Sequence, residues 1–288
     1  MATTVGYAST RILPAMDSGM VRIALVQVGL DDGEAAAARR ERVWTWVAHS
    51  CEGADMVVLP ELWVTGFFHF DRYPEEAEPL HGPFVEQAGT VARKLGCALH
   101  AGSFVERRPD GSLANTSVLL QPDGSVAAVY RKIHLFGFDS EEKRLLRPGR
   151  ERVCAGAPPG TRARGLGRLG MATCYDVRFP EQFRELLDAG VETYVVPAAW
   201  PAARIEHWRL LTQARALENQ AVFLGCNASG VCAGNRVGGR SLVCDPWGVV
   251  RALAGEGEQL LWAEVPMSAA AAARGLFPAV SDRGAADS

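Results

Sequence analysis

The stretch that most restricts the fold of this chain is Val21-Arg-Ile-Ala-Leu-Val-Gln-Val28, taken together with the segment after it. It is an apolar run of strand length, broken at Asp31-Asp-Gly33 and succeeded by a segment rich in Ala, Glu and Arg. There Ala37, Val43, Trp44, Val47 and Cys51 recur near helical spacing, which predicts a helix over 32–51 with an acidic start. A second apolar run, Met56 to Leu59, comes next. Strand, helix and strand in that order imply a parallel pair with the helix on one face of the sheet.

The rest of the chain extends this sheet. Gly82-Pro83 starts another helix, and Cys97 to Val105 reads as a strand. Two turn signatures, Arg108-Pro-Asp-Gly111 and Pro122-Asp-Gly124, bracket Asn115 to Gln121, so antiparallel hairpins join and the sheet is mixed. Further strands are expected at Thr193–Val196, Ala221–Asn227, Gly239–Cys244, Val249–Leu253 and Gln259–Val265. Between the first two of these, Ile205, Trp208, Leu211, Ala214 and Leu217 predict one apolar helix face. Periodicity by itself yields an α/β fold.

Three apolar runs end on a chemically useful group. Val57-Val-Leu-Pro-Glu61 ends on a carboxylate, Val126-Ala-Ala-Val-Tyr-Arg-Lys132 on an amine, and Leu169-Gly-Met-Ala-Thr-Cys174 on a thiol. In layered α/β folds ligands collect at the carboxyl ends of strands, where residues distant in sequence converge. An isolated cysteine is more often buried and inert. The company of Glu61 and Lys132 favours the catalytic reading, because a nucleophile at a strand-to-turn junction stands beside backbone N–H groups that can receive an oxyanion.

Glu61 in LPELW, Lys132 in YRKIHLFGFDS and Cys174 in ATCYDVRFPE resemble the Glu-Lys-Cys constellation of the nitrilase, or carbon-nitrogen hydrolase, superfamily. The similarity runs from about Val21 to Val265. It implies a single-domain, four-layer α-β-β-α sandwich with two mixed β-sheets over 21–266. It also implies a thiol amidohydrolase acting on a small linear amide without cofactor or metal, assembled as a homodimer or higher oligomer.

Cleaving an amide needs a strong nucleophile, a proton for the departing amine and a stabiliser for the carbonyl oxygen. Cys174 is expected to form a thioester, and Glu61 to act as base and then acid. Lys132 is one of only three lysines among thirty basic residues, so its compact ammonium is the reason for its presence, between Cys174, Glu61 and the oxyanion. The backbone N–H of Tyr175 is the expected second oxyanion donor. Related enzymes carry a second glutamate in the loop after the lysine; Ser140-Glu-Glu142 leaves Glu141 and Glu142 both open, with Glu142 preferred.

Phe136 and Trp200 are expected to line the site. Arg178 has two readings, a fork for a substrate carboxylate or a structural partner of Glu181. Cys-Tyr-Asp-x-Arg-Phe-Pro-Glu is closer to the ω-amidase and deaminated-glutathione amidase branches than to true nitrilases. Glu218 and Asn219, in a string similar to the family's Arg-Ala-x-Glu-Asn helix, are expected to brace the nucleophile strand. The aromatics of Leu62–Glu78 either pack over the core or wall a pocket. Alternatives on the same residues are acyl transfer to an amine, a Cys-His hydrolase using His134, and a binding protein without turnover.

A formal charge of −3 with no basic stripe argues against nucleic acid as partner. No run approaches the ~18 apolar residues of a membrane span. Seven cysteines without CxxC pairs fit a reducing compartment, and a cytoplasmic location is expected. Residues 1–20 are expected to be a flexible arm, with Met20 a candidate start, and 267–288 a tail.

Overall fold

The computed structural model describes residues 19–137, 140–157 and 161–283, so the expected arm lies almost wholly outside the described residues. The chain opens with β1 (Met20–Gln27) and the short β2 (Gly29–Leu30), followed by α1 (Ala36–Ser50) and β3 (Met56–Val58). An aromatic loop containing α2 (Tyr73–Glu76) leads to α3 (Pro83–Leu95), β4 (Ala98–Arg107), β5 (Leu113–Leu120) and β6 (Val126–Arg131). The short α4 (Glu141–Leu145) precedes β7 (Val153–Gly156) and β8 (Arg168–Met171). Then come α5 (Pro180–Asp188), β9 (Thr193–Ala198), α6 (Ile205–Asn219) and β10 (Val222–Asn227). Strands β11 (Ser229–Cys232), β12 (Asn235–Gly238), β13 (Leu242–Cys244), β14 (Val250–Leu253) and β15 (Gln259–Pro266) come before α7 (Ala269–Leu276) and α8 (Ala279–Asp282).

Local chemistry explains these boundaries. Gly82 caps α3, Pro83 supplies a preset φ at its first position, and Gly96 ends it at φ 62°. In α1 the buried stripe is Arg39, Val43, Trp44 and Val47, and the first turn holds no acid. Arg39 takes the inward place expected for Ala37, because its guanidinium donates to the carbonyls of Asp31 (2.7 Å) and Val64 (2.9 Å).

The strands form two six-stranded mixed sheets, ordered β15-β1-β3-β4-β5-β6 and β14-β13-β10-β9-β8-β7. Each has three parallel strands at its centre and antiparallel strands outside them. Strand β1 pairs with β15 along its whole length, Met20 opposite Pro266 and Gln27 opposite Gln259. The sheets share one core, with Ile23, Leu25 and Val58 from the first meeting Met171, Val195 and Leu224 from the second. Helices α1 and α3 cover the far face of the first sheet, while α5 and α6 cover that of the second.

Two expectations need correcting. Beside the two expected sheets the described residues form a third, β12-β11-β2, in which Ser229 pairs with Gly29 and Ser229–Gly238 folds back as a hairpin. The buried face of α6 is Trp208, Thr212, Arg215, Ala216 and Asn219, whereas Leu217 is 55% exposed. That face is polar because Arg215 binds the backbone of a neighbouring turn, at Val177 O. No helix among the described residues is long and apolar enough to cross a membrane.

Candidate active site

Each chemically useful residue sits just past the end of a strand, and each is anchored by a neighbour. After β3, Leu59 N–H donates to His100 O (2.9 Å) and Glu61 N–H to Ala198 O (3.3 Å), which carries Glu61 from the first sheet towards the second. A bulge in β4 cradles this turn, with Ser103 N–H donating to Pro60 O at 3.2 Å. Gly102 lies there at φ 73°, and a Cβ on it would stand 2.0 Å from Pro60 O, so only glycine fits. Lys132 is fixed on both sides, its N–H donating to Asn115 O (2.9 Å) and its carbonyl accepting from Gly149 N–H (2.8 Å).

Cys174 opens a single turn, Cys174–Arg178, at φ 49°, a left-handed conformation that a non-glycine residue holds only under external constraint. The constraint is Asp176. Its fully buried carboxylate accepts from Thr173 N–H (2.8 Å), Tyr130 Oη (2.6 Å), His134 N–H (2.9 Å) and His134 Nδ1 (2.8 Å). Asp176 therefore ties the Cys174 turn to the segment that carries Lys132. On the other side Arg215 of α6 donates from Nε to Val177 O (2.9 Å) and from Nη1 to Glu218 Oε1 (2.8 Å), while Asn219 Nδ2 donates to the Arg215 backbone carbonyl (2.9 Å).

The charged groups meet in the interior. Lys132 Nζ lies 2.8 Å from Glu61 Oε1 and 3.0 Å from Glu142 Oε1, with all three side chains fully buried. Asn115 Nδ2 donates to Glu61 Oε1 at 2.8 Å, and Ala199 N–H donates to Glu61 Oε2 at 3.0 Å. Phe136 N–H donates to Glu142, which fixes the loop over the site. Of the two glutamates left open, Glu142 is the buried one; Glu141 is exposed and pairs with Arg144.

Burial disfavours the Lys132 ammonium, yet the charges of Glu142 and Glu61 outweigh it and hold the amine above its ordinary range. Burial pushes Glu142 up, opposed by Lys132. The Cys174 thiol lies in contact with the Glu61 carboxylate and Ala199 N–H, and burial raises it well above an ordinary thiol, with Glu61 adding to the rise and Lys132 opposing it. The resting group is therefore a thiol.

Beside Cys174 lies a narrow cleft. Phe136, Tyr175, Arg178 and Trp200 line it, together with Phe67 and Phe68 of the aromatic loop, so part of that loop walls the pocket. Arg178 turns its guanidinium to the rings of Trp200 (5.0 Å) and Tyr175 (5.7 Å) and to His207 Nδ1 (3.1 Å); it forms no ion pair with Glu181 among the described residues. His134 stacks on Phe179 at 3.8 Å and engages Asp176, which places it in the support of the turn. Asn115, Ala199 and Arg204 join the site without having been singled out from sequence. A larger groove walled by Arg108, Arg131, Arg147 and Arg150 contains none of these groups. Among the described residues no cluster of His, Cys, Asp or Glu could hold a metal ion.

Known proteins resemble this chain over most of its length. The carbon-nitrogen hydrolase family profile matches residues 22–275. A 2-oxoglutaramate amidase of Paenarthrobacter nicotinovorans is 37% identical over 272 residues, spanning 93% of this chain and 91% of that protein. The deaminated glutathione amidase of Bos taurus is 33% identical across 75% of this chain and 68% of its own length. The crystal structure of Saccharomyces cerevisiae Nit3, a member of branch 10 of the nitrilase superfamily, superimposes with a TM-score of 0.80 at 27% identity, covering 90% of this chain and 94% of that one. With a match from the first strand into α7, and amidases among its relatives, the chain belongs to the carbon-nitrogen hydrolase family and is an amidase-type enzyme of it.

Proposed function

We propose that this protein is a thiol amidohydrolase that cleaves the C–N bond of a small linear amide through a Cys174 thioester. The observation that carries the reading is a buried ammonium, Lys132, held between Glu61 and Glu142 while Glu61 also meets the Cys174 thiol. When the amide carbonyl arrives, Glu61 takes the thiol proton and the sulfur bonds to the carbonyl carbon. Lys132 and the Tyr175 N–H stabilise the oxyanion. Glu61 then returns its proton to the amine, the C–N bond breaks, and ammonia or an amine leaves. Water, deprotonated by Glu61, releases the carboxylic acid and restores the thiol. Glu142 and Asn115 hold Lys132 and Glu61 in register.

The half-exposed Arg178 beside the cleft supports recognition of a substrate carboxylate, in keeping with relatives named 2-oxoglutaramate amidase. The two large sheets and their flanking helices form the α-β-β-α sandwich in this reading, with β2–β11–β12 as an addition. Exposed Leu210, Leu217, Trp247 and Phe277 support pairing of two copies through the α6 side. Seven free cysteines support a reducing, cytoplasmic setting.

The test is a panel of amides, nitriles and N-carbamoyl compounds with ammonia release as readout, run with and without a competing amine, alongside mass analysis of Cys174 after fluoroacetamide. Ammonia from amides and a single adduct on Cys174 are expected, with both lost in Cys174→Ala. Ammonia release that survives Cys174→Ala removes the proposal, and amide products in place of acid would make the enzyme an acyltransferase.

A further inference from the structure

The mouth of the Cys174 cleft holds a second guanidinium that the proposed reaction does not use. Arg204 ends the short turn Ala202–Arg204 between β9 and α6 and lines the cleft together with Arg178. Its carbonyl accepts the Trp200 Nε1–H at 2.8 Å, and its guanidinium stands 5.6 Å from the Phe136 ring. Trp200 therefore ties the two arginines together, one through its indole N–H and one through its ring face at 5.0 Å.

Neither arginine pairs with a carboxylate among the described residues, and the one polar partner of Arg178 is the His207 ring nitrogen. Elsewhere in the molecule guanidiniums of similar burial are neutralised: Arg40 by Glu78, Arg131 by Glu106, Arg184 by Glu218. Two half-buried cations without counter-charge, facing a cleft with a nucleophile at its base, are matched by anionic groups on a ligand. Both line the cleft and are partly exposed where Cys174 is buried, so they read a part of the substrate away from the scissile amide.

We propose that Arg204 is a specificity-determining residue which, with Arg178, selects amides whose distal end carries two anionic groups over those carrying one. This rests on the amidase reading for its catalytic arm, while its binding arm does not.

In the catalytic arm, kcat/KM is compared for butyramide, the monoamide of glutarate and a monoamide of tricarballylate. The wild type favours the tricarballylate monoamide over the glutarate monoamide, and Arg204→Gln reduces that preference about 5- to 10-fold, through KM. Arg178→Gln lowers both acidic substrates relative to butyramide. In the binding arm, glutarate and tricarballylate are compared for protection of Cys174 against fluoroacetamide, which needs no turnover. Tricarballylate protects better in the wild type, and the advantage disappears in Arg204→Gln. Equal protection by the two acids in the wild type, or a preference that persists in Arg204→Gln, overturns the proposal. Protection as expected with no ammonia from any amide would retain Arg204 as the reader of the dianion and remove the amidase reading instead.

Discussion

The floor and the mouth of the cleft are built in opposite ways. At the floor, Glu61, Lys132, Glu142 and Asn115 are withdrawn from solvent, and the ammonium and both carboxylates each have more than one partner at hydrogen-bonding distance. At the mouth, Arg178 and Arg204 are half-exposed and held mainly against aromatic rings at 5.0–5.7 Å. Contacts of the first kind fix atoms to within tenths of an ångström, whereas ring contacts of the second kind leave a guanidinium free to track a ligand. The difference teaches that rate and selectivity are separable here: floor substitutions should slow every substrate, and mouth substitutions should change which substrate is preferred.

The largest effect is expected for Lys132→Met. It removes the proposed oxyanion donor and should lower kcat by at least about 10²–10³-fold for neutral and acidic amides alike. It also leaves Glu61 and Glu142 buried without a counter-charge, at a cost of about 3–5 kcal/mol in urea unfolding near pH 7. In the wild type the Lys132 pKa is raised, so its contribution is complete below the unfolded value of ~10.5 and is lost as pH rises through the folded one. In the variant Glu142, already pushed up by burial, loses the opposing ammonium and binds a proton more readily folded than unfolded, so stability should recover as pH falls towards the carboxylate range. Selective loss of acidic amides in Lys132→Met would break the comparison.

Asp176→Asn comes next. The amide cannot accept all the donors that now converge on the carboxylate, so the Cys174 turn and the Lys132 segment lose their common anchor. A fall in kcat of about 10–10²-fold with KM little changed is expected, together with slower alkylation of Cys174 by fluoroacetamide. A shift in the ranking of substrates instead would move Asp176 from the floor to the mouth.

The smallest effect concerns the support beneath Glu61. His100 lies fully buried in the β4 bulge with Nε2 unpartnered, and burial depresses its imidazole to about 3. The folded protein keeps it neutral while the unfolded chain takes a proton near pH ~6.5, so stability falls as pH drops from there towards the folded value. This one group contributes about 2 kcal/mol of loss between pH 7 and 5, which urea midpoints measure and His100→Gln should abolish. Arg204→Gln should retain the wild-type slope, sharpening the contrast between the two regions.

The two regions also differ in what the sequence discloses. Glu61, Lys132 and Cys174 are legible because each ends an apolar run, a signal contained in a few neighbouring residues. Asn115 is not, since it sits inside the strand Leu113–Leu120 and its partners Glu61 and Glu142 lie 54 and 27 positions away. Arg204 comes after two alanines just before a helix, and nothing local separates it from an ordinary surface arginine. The misread face of α6 has the same origin: Arg215 is buried by its bond to Val177 O, a contact that apolar periodicity cannot register. Strands β11 and β12 escape notice because they are short, are interrupted at Ala233-Gly234 and find their parallel partner at Gly29–Leu30.

The pairing of β1 with β15 sets the order in which the molecule can be completed. Met20–Gln27 leaves the ribosome before Gln259–Pro266, so until the second segment emerges one side of the first strand presents bare N–H and C=O groups to its surroundings. Completion of the first sheet thus waits on β15, and a nascent chain stalled before Gln259 carries all the residues proposed for catalysis beside an uncovered, adhesive edge.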